Sequence, residues 1–247
     1  MNRNVVSLVV VMISAFAWGQ VPVPTGSVLS VRLDSSLNSK KLKVAQTIRA
    51  TIMQDVPNSK VHRGAKVFGQ VVAVRSATND HPAELSLRFD SICSSKRIST
   101  VNTNLRALAS MMDVSDADTP ATGPDRGTPW AWATRNLIGG EVAYGQGSEV
   151  ARGTERVGED ATTGVLVRVD PNPVGGCRGE LGDSSHLQAL WVFSSDACGV
   201  YGFPNLTIAH AGRNAPLYEI TLGSKENINV RSGSGMLLRV TSVGALQ

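Results

Sequence analysis

Val28-Leu29-Ser30-Val31-Arg32-Leu33 follows the turn signal Pro24-Thr25-Gly26 and alternates apolar with polar residues. A period of two sends successive side chains to opposite faces, so one face is buried and the other solvated. That is the signature of a half-exposed antiparallel strand. Comparable runs recur outward from it at 47–53, 66–75 and 85–92, with a weaker one at 97–103. Between them stand Asn38-Ser39, Pro57-Asn58, Arg63-Gly64 and Asn79-Asp80, residues that favour turns. Short strands at near-regular spacing predict an all-β fold, a small antiparallel barrel or sandwich with long loops in the second half.

Further along, residues 104–112 have the composition for two helical turns. From 113 to 128 the chain turns to Asp, Thr, Pro and Gly without apolar periodicity, which predicts a loop or linker. Asp113, Asp116 and Asp118 lack the glycine and distal glutamate of a calcium loop and read as solvated acids. A second β-rich region is expected from Leu137, with strands at 141–144, 165–169, 187–193, 206–209, 217–222 and 236–240. Long surface loops are expected at 145–163 and 171–185. Trp191 falls in the most apolar of these strands and is expected in the core. Trp130 and Trp132 flank the linker.

The amino terminus predicts export. Arg3 precedes an almost unbroken apolar run from Val5 to Ala17, and small residues at Ala17 and Gly19 suit a signal peptidase, leaving Gln20 first. Ala15 and Ala17 offer a second cut, before Trp18. The run is short of the ~20 apolar residues that span a bilayer, and no cysteine near the cut supports a lipid anchor. The protein is therefore expected to be periplasmic or secreted.

Charge is unevenly spread. Residues 20–112 hold 13 Lys+Arg against 5 Asp+Glu, and residues 113–247 hold 10 against 15. Lys40, Lys41 and Lys43 form the densest basic cluster and are the candidate contact to an anionic surface, such as envelope polymers or phospholipid headgroups. The competing reading is a solvated strand face. Nucleic acid is not favoured, because single-strand binders add aromatic stacking platforms and this half offers only Phe68 and Phe89, both in apolar strand patterns.

An exported chain with Cys93, Cys177 and Cys198 should hold one bridge and one thiol. Glycines beside Cys177 and Cys198 favour that pair, and Cys93 sits in a strand pattern as a small buried hydrophobe. Pairing of Cys93 with either partner stays open. No catalytic motif stands out: Ser232-Gly233-Ser234-Gly235 lacks the first glycine of a nucleophile elbow and reads as a hairpin turn. His186, in the polar loop Asp183-Ser184-Ser185-His186, and His210 are the candidates for a secreted hydrolase, the alternative to a non-enzymatic binding or assembly protein. No cofactor and no metal site is expected.

The residues Pro24-Thr25-Gly26-Ser27, Val31-Arg32-Leu33, Leu37-Asn38-Ser39, Arg63-Gly64-Ala65-Lys66-Val67-Phe68-Gly69 and Leu85-Ser86-Leu87-Arg88-Phe89 resemble the β-barrel domain of TrbI-type proteins of type IV secretion and conjugation. The resemblance runs from Pro24 to about Ile98, and residues 229–240 are similar to that barrel's closing strands. It implies strand and turn positions of a barrel, not catalytic ones, and carries over the barrel architecture alone. The segments at 177–180, 191–199 and 208–213 are similar to a group of uncharacterised exported bacterial proteins, which implies no activity. The expected organisation is a signal peptide at 1–19, a basic TrbI-like region at 20–112, an acidic Pro/Gly loop or linker at 113–136, and a second β-rich region at 137–247, with completion of the same barrel left open.

Overall fold

The computed structural model describes residues 23–95, 97–119, 137–139, 190–194, 197–209 and 219–243. It also describes the backbone of strands at 121–122, 133–136, 141–144, 151–152, 155–156, 159–161 and 164–168.

Six strands close into an antiparallel barrel: β1 (Val28–Leu33), β2 (Thr47–Ile52), β3 (Lys66–Arg75), β4 (Ala83–Ser94), β5 (Arg97–Ala109) and, from the far end of the chain, the strand Gly235–Val243. The alternation read from the sequence is what fills it. Leu29, Val31 and Leu33 point inward from β1, Val67 and Val71 from β3, and Leu85, Leu87 and Phe89 from β4, all at most 1 % exposed. Burying such side chains is worth about 1.5–3 kcal/mol each against leaving them in water, so the pattern dictates register. Bulges fall at Asp90 and Val72, where the β3–β4 ladder shifts, and at Arg106 and Thr241 on the other side. An extra residue bends and twists its strand, which a sheet of six strands needs in order to close.

Three more strands complete the sheet: β6 (Gly199–Tyr201), β7 (Leu206–Ile208) and β8 (Ile220–Ser224), with Gly235–Val243 then β9. The order is β6-β5-β9-β1-β2-β3-β4-β8-β7, and β4 also pairs with β5. That last ladder is short, from Ser91↔Thr100 to Ser94↔Arg97. Beyond it the two strands diverge, and the buried Thr103 hydroxyl donates across the seam to the Phe89 carbonyl at 3.0 Å. β8 takes the freed edge of β4, and β6 runs parallel along β5.

Both β-rich regions thus contribute to one sheet. The expected helical turns at 104–112 are instead the end of β5, and the helix lies later, at α1 (Met111–Asp118). Ser110 caps it, accepting from the Asp113 amide at 3.2 Å. Val114 and Ala117 pack with Ala107, Ala109, Phe193 and Leu237 in a second apolar cluster on the outer wall of β5 and β9. Burial on both faces removes the period-two signal from the end of β5. Asp113, Asp116 and Asp118 therefore lie on a helix rather than in a loop.

The strand expected at 187–193 is also corrected. Residues 187–189 lie outside the described residues, and Leu190 to Phe193 form a tight turn, closed by Leu190 N to Phe193 O at 2.8 Å, with Trp191 at φ +62°. Trp191 is half-buried rather than core. It sits edge-on to Phe193, ring centroids 6.4 Å apart, and its amide donates to Gln54 Oε1. Elsewhere an antiparallel sheet of five short strands has the order Glu159–Ala161, Gly164–Arg168, Glu141–Tyr144, Ala133–Leu137, Ala121–Thr122. Among the described residues no helix is long and apolar enough to cross a membrane.

Candidate functional site

One end of the barrel is plugged by its own loops. The short strands Leu37–Asn38 and Asn229–Val230 pair there, and Leu37, Leu42, Ile228 and Val230 join the core. Side chains lock the two loops together. Ser39 donates its amide to the Ile228 carbonyl at 3.0 Å and its hydroxyl accepts from the Ile228 amide at 3.1 Å. Asn227 Oδ1 accepts from the Ala77 amide at 3.1 Å, and the Ser76 hydroxyl donates to the Ser39 carbonyl.

The lysines stand on this plug. Asn38 Oδ1 accepts from the Lys40 amide at 2.9 Å, and its carbonyl accepts from Lys41 and Leu42, which starts a tight turn. Leu42 anchors the loop at 8 % exposure while Lys40, Lys41 and Lys43 stay exposed. A second turn follows at once: the Gln46 amide donates to the Lys43 carbonyl, and the Lys43 amide to Gln46 Oε1, both at 3.1 Å. Ala45, at φ +64°, donates to the Val71 carbonyl of β3. Val44 is left at the apex, 61 % exposed.

The sequence cluster is incomplete. The pairing of Leu37–Asn38 with Asn229–Val230 brings exposed Lys225 and Arg231 to the same end. Their distance along the chain hid them; only the long-range pairing unites them with the lysines. Among the described residues none of these five cations enters an ion pair. Exposed Asp80 and Glu226 share the end. Asp34, on the outer face of β1 and β2, is already satisfied by Lys66 at 3.0 Å and Thr51 at 2.8 Å. Partial burial works against its charge, but the bonds from Thr51 and Lys66 and the nearby charges of Lys66 and Arg32 outweigh this and hold it below its ordinary 3.8.

His186, His210 and Cys177 lie outside the described residues, as do Trp130 and Trp132. Cys93 carries a free thiol and is half-buried on β4, where Lys66 and Ile98 are its cross-strand partners, rather than the buried hydrophobe expected. Cys198 is buried at the start of β6 and is disulfide-bonded. Ser232-Gly233-Ser234-Gly235 forms the turn into β9, with the Gly233 amide bonded to the Leu33 carbonyl at 2.8 Å. A cavity of about 420 Å³ lies between α1 and β6, lined by Asp113, Asp116, Ile138 and Tyr201. A groove of about 530 Å³ runs beside β7 and β8. Among the described residues no three His, Cys, Asp or Glu side chains are grouped to hold a metal. The chain matches no protein-family model, no curated protein and no solved structure.

Proposed function

We propose that the chain is an exported, non-enzymatic envelope or secreted protein that acts by binding or assembly through the plugged, basic end of its barrel. The observation that carries this reading is the convergence of Lys40, Lys41 and Lys43 with Lys225 and Arg231 on two loops held together by hydrogen bonds. A rigid surface of cations loses little conformational freedom on meeting an anionic partner. The filled barrel interior leaves binding to the outside. The likeness of residues 24–98 to TrbI-type barrels favours envelope assembly as the setting.

The chain should be retained on heparin, a polyanion, with retention falling steeply as salt rises, because exposed charges are screened over ~8 Å at physiological ionic strength. Replacing Lys40, Lys41, Lys43, Lys225 and Arg231 with Gln should abolish retention without changing the thermal unfolding midpoint. Unchanged retention would leave these cations as a solvated face only.

The disulfide belongs to the same reading, since an exported chain meets oxidising conditions. With three cysteines in the sequence and Cys93 free, we expect Cys198 to pair with Cys177. Closing a loop of this length should stabilise by about 3 kcal/mol on the chain-entropy account. Peptide mapping under non-reducing conditions checks it, and a bridge containing Cys93, or three thiols in the exported protein, would refute it.

A further inference from the structure

We propose that the partner of this basic end is an anionic lipid surface, with Val44 entering the headgroup layer while the surrounding lysines meet the phosphates. The inference rests on the binding reading above and gives that site its partner.

Among the described residues only Val44, Ile98 and Met112 are large hydrophobics that stay strongly exposed. Ile98 is at the opposite end of the barrel and Met112 is on the acidic α1. Val44 alone stands at the apex of a cationic loop, immediately after Lys43 and two turn hydrogen bonds from the barrel wall. A soluble polyanion has no use for an apolar apex. A membrane interface does, since binding there scales with buried apolar area plus attraction to anionic lipid.

The loop is also held for the task. Leu42 is sunk in the core on one side of Val44, and the Ala45 amide is bonded to the Val71 carbonyl on the other. The tip cannot fold its valine back into the protein without breaking both. Charge then sets orientation. The lysine loop is tied to β3, whereas α1 with Asp113, Asp116 and Asp118 packs on the wall of β5 and β9. α1 begins beside the Gly233 turn of the same end, so an anionic surface would attract the lysine side and repel the helix side, tilting the docked barrel onto its lysine loop.

The test is co-sedimentation of the chain with vesicles of phosphatidylglycerol and phosphatidylcholine in equal parts, and with vesicles of phosphatidylcholine alone. The chain should bind the first and not the second. Lys40, Lys41 and Lys43 to Gln together should lower the partition by about two orders of magnitude, about fivefold for each cation removed. Val44→Ser should lower it by about fivefold and leave heparin retention as in the parent. All these side chains are exposed, and matching thermal midpoints will confirm that the variants fold. Heparin retention without vesicle binding, or vesicle binding that Val44→Ser does not weaken, overturns lipid docking and leaves the binding reading standing. Loss of both kinds of retention in the parent chain overturns the two together.

Discussion

Phe89→Ala is expected to lower the free energy of unfolding by about 3–5 kcal/mol. Phe89 is fully buried in the barrel interior, at 0 % exposure, and its carbonyl accepts the Thr103 hydroxyl across the seam between β4 and β5. Truncation removes the transfer energy of the ring and leaves a hole that six paired strands cannot readily collapse into. Small domains are stable by only about 5–15 kcal/mol, so the loss would take a large share of the total. Urea titration should show the midpoint falling with little change in slope. Phe68→Ala is the control, because Phe68 sits one bulge away on β3 and is only half-buried. Equal shifts for the two variants would mean that the interior packing of Phe89 does not hold the barrel.

Gly69→Ala should be almost as damaging, by a different route. Gly69 is buried on β3 beside the bulge at Asp90. A methyl group there would run into the Arg88 carbonyl oxygen and lie 2.9 Å from the Phe89 ring. The carbonyl belongs to the ladder and cannot step aside without unpairing β3 from β4. Overpacking of this kind costs about 3 kcal/mol. Gly64→Ala separates the steric cause from the conformational one. Gly64 has φ +91° but open space around its Cα, so alanine there should cost about 1–2 kcal/mol for the left-handed backbone alone. Denaturant midpoints of the two variants decide it. Should Gly69→Ala prove no worse than Gly64→Ala, the close approach of the strands is not what the glycine serves.

Much of the barrel is legible in the sequence wherever a wall strand keeps one wet face. β1 and β3 were readable to the residue from alternation alone, at Val28–Leu33 and Lys66–Arg75. The end of β5 was not. Asn104-Leu105-Arg106-Ala107-Leu108-Ala109 is buried on both faces, and the bulge at Arg106 breaks the period where leucine and alanine already suggest a helix. Trp191 misled for a related reason: an apolar run of this length suits a strand, yet here it is spent on a turn whose Val192 and Phe193 fill the outer cluster. At the basic end, three lysines close in sequence were visible. Lys225 and Arg231 were not, because a neighbourhood made by strand pairing leaves no local trace. The apex valine carries no local signal in the sequence; its turn and its exposure set it apart.

The place of β9 between β1 and β5 has a consequence for how the molecule comes into being. β9, which follows the five other barrel strands along the chain, is an interior stave, hydrogen-bonded to β1 through pairs such as Val28↔Arg239 and to β5 through pairs such as Gly235↔Ala109. Until it is made, β1 and β5 both present open edges, and no shorter piece of the chain can close the ring. Contacts so distant in sequence carry a high loop-closure cost and form late. The protein thus cannot complete itself on the ribosome from its first half. Its ordering of strands keeps the growing chain open at two edges until β9 has left the ribosome and can pair.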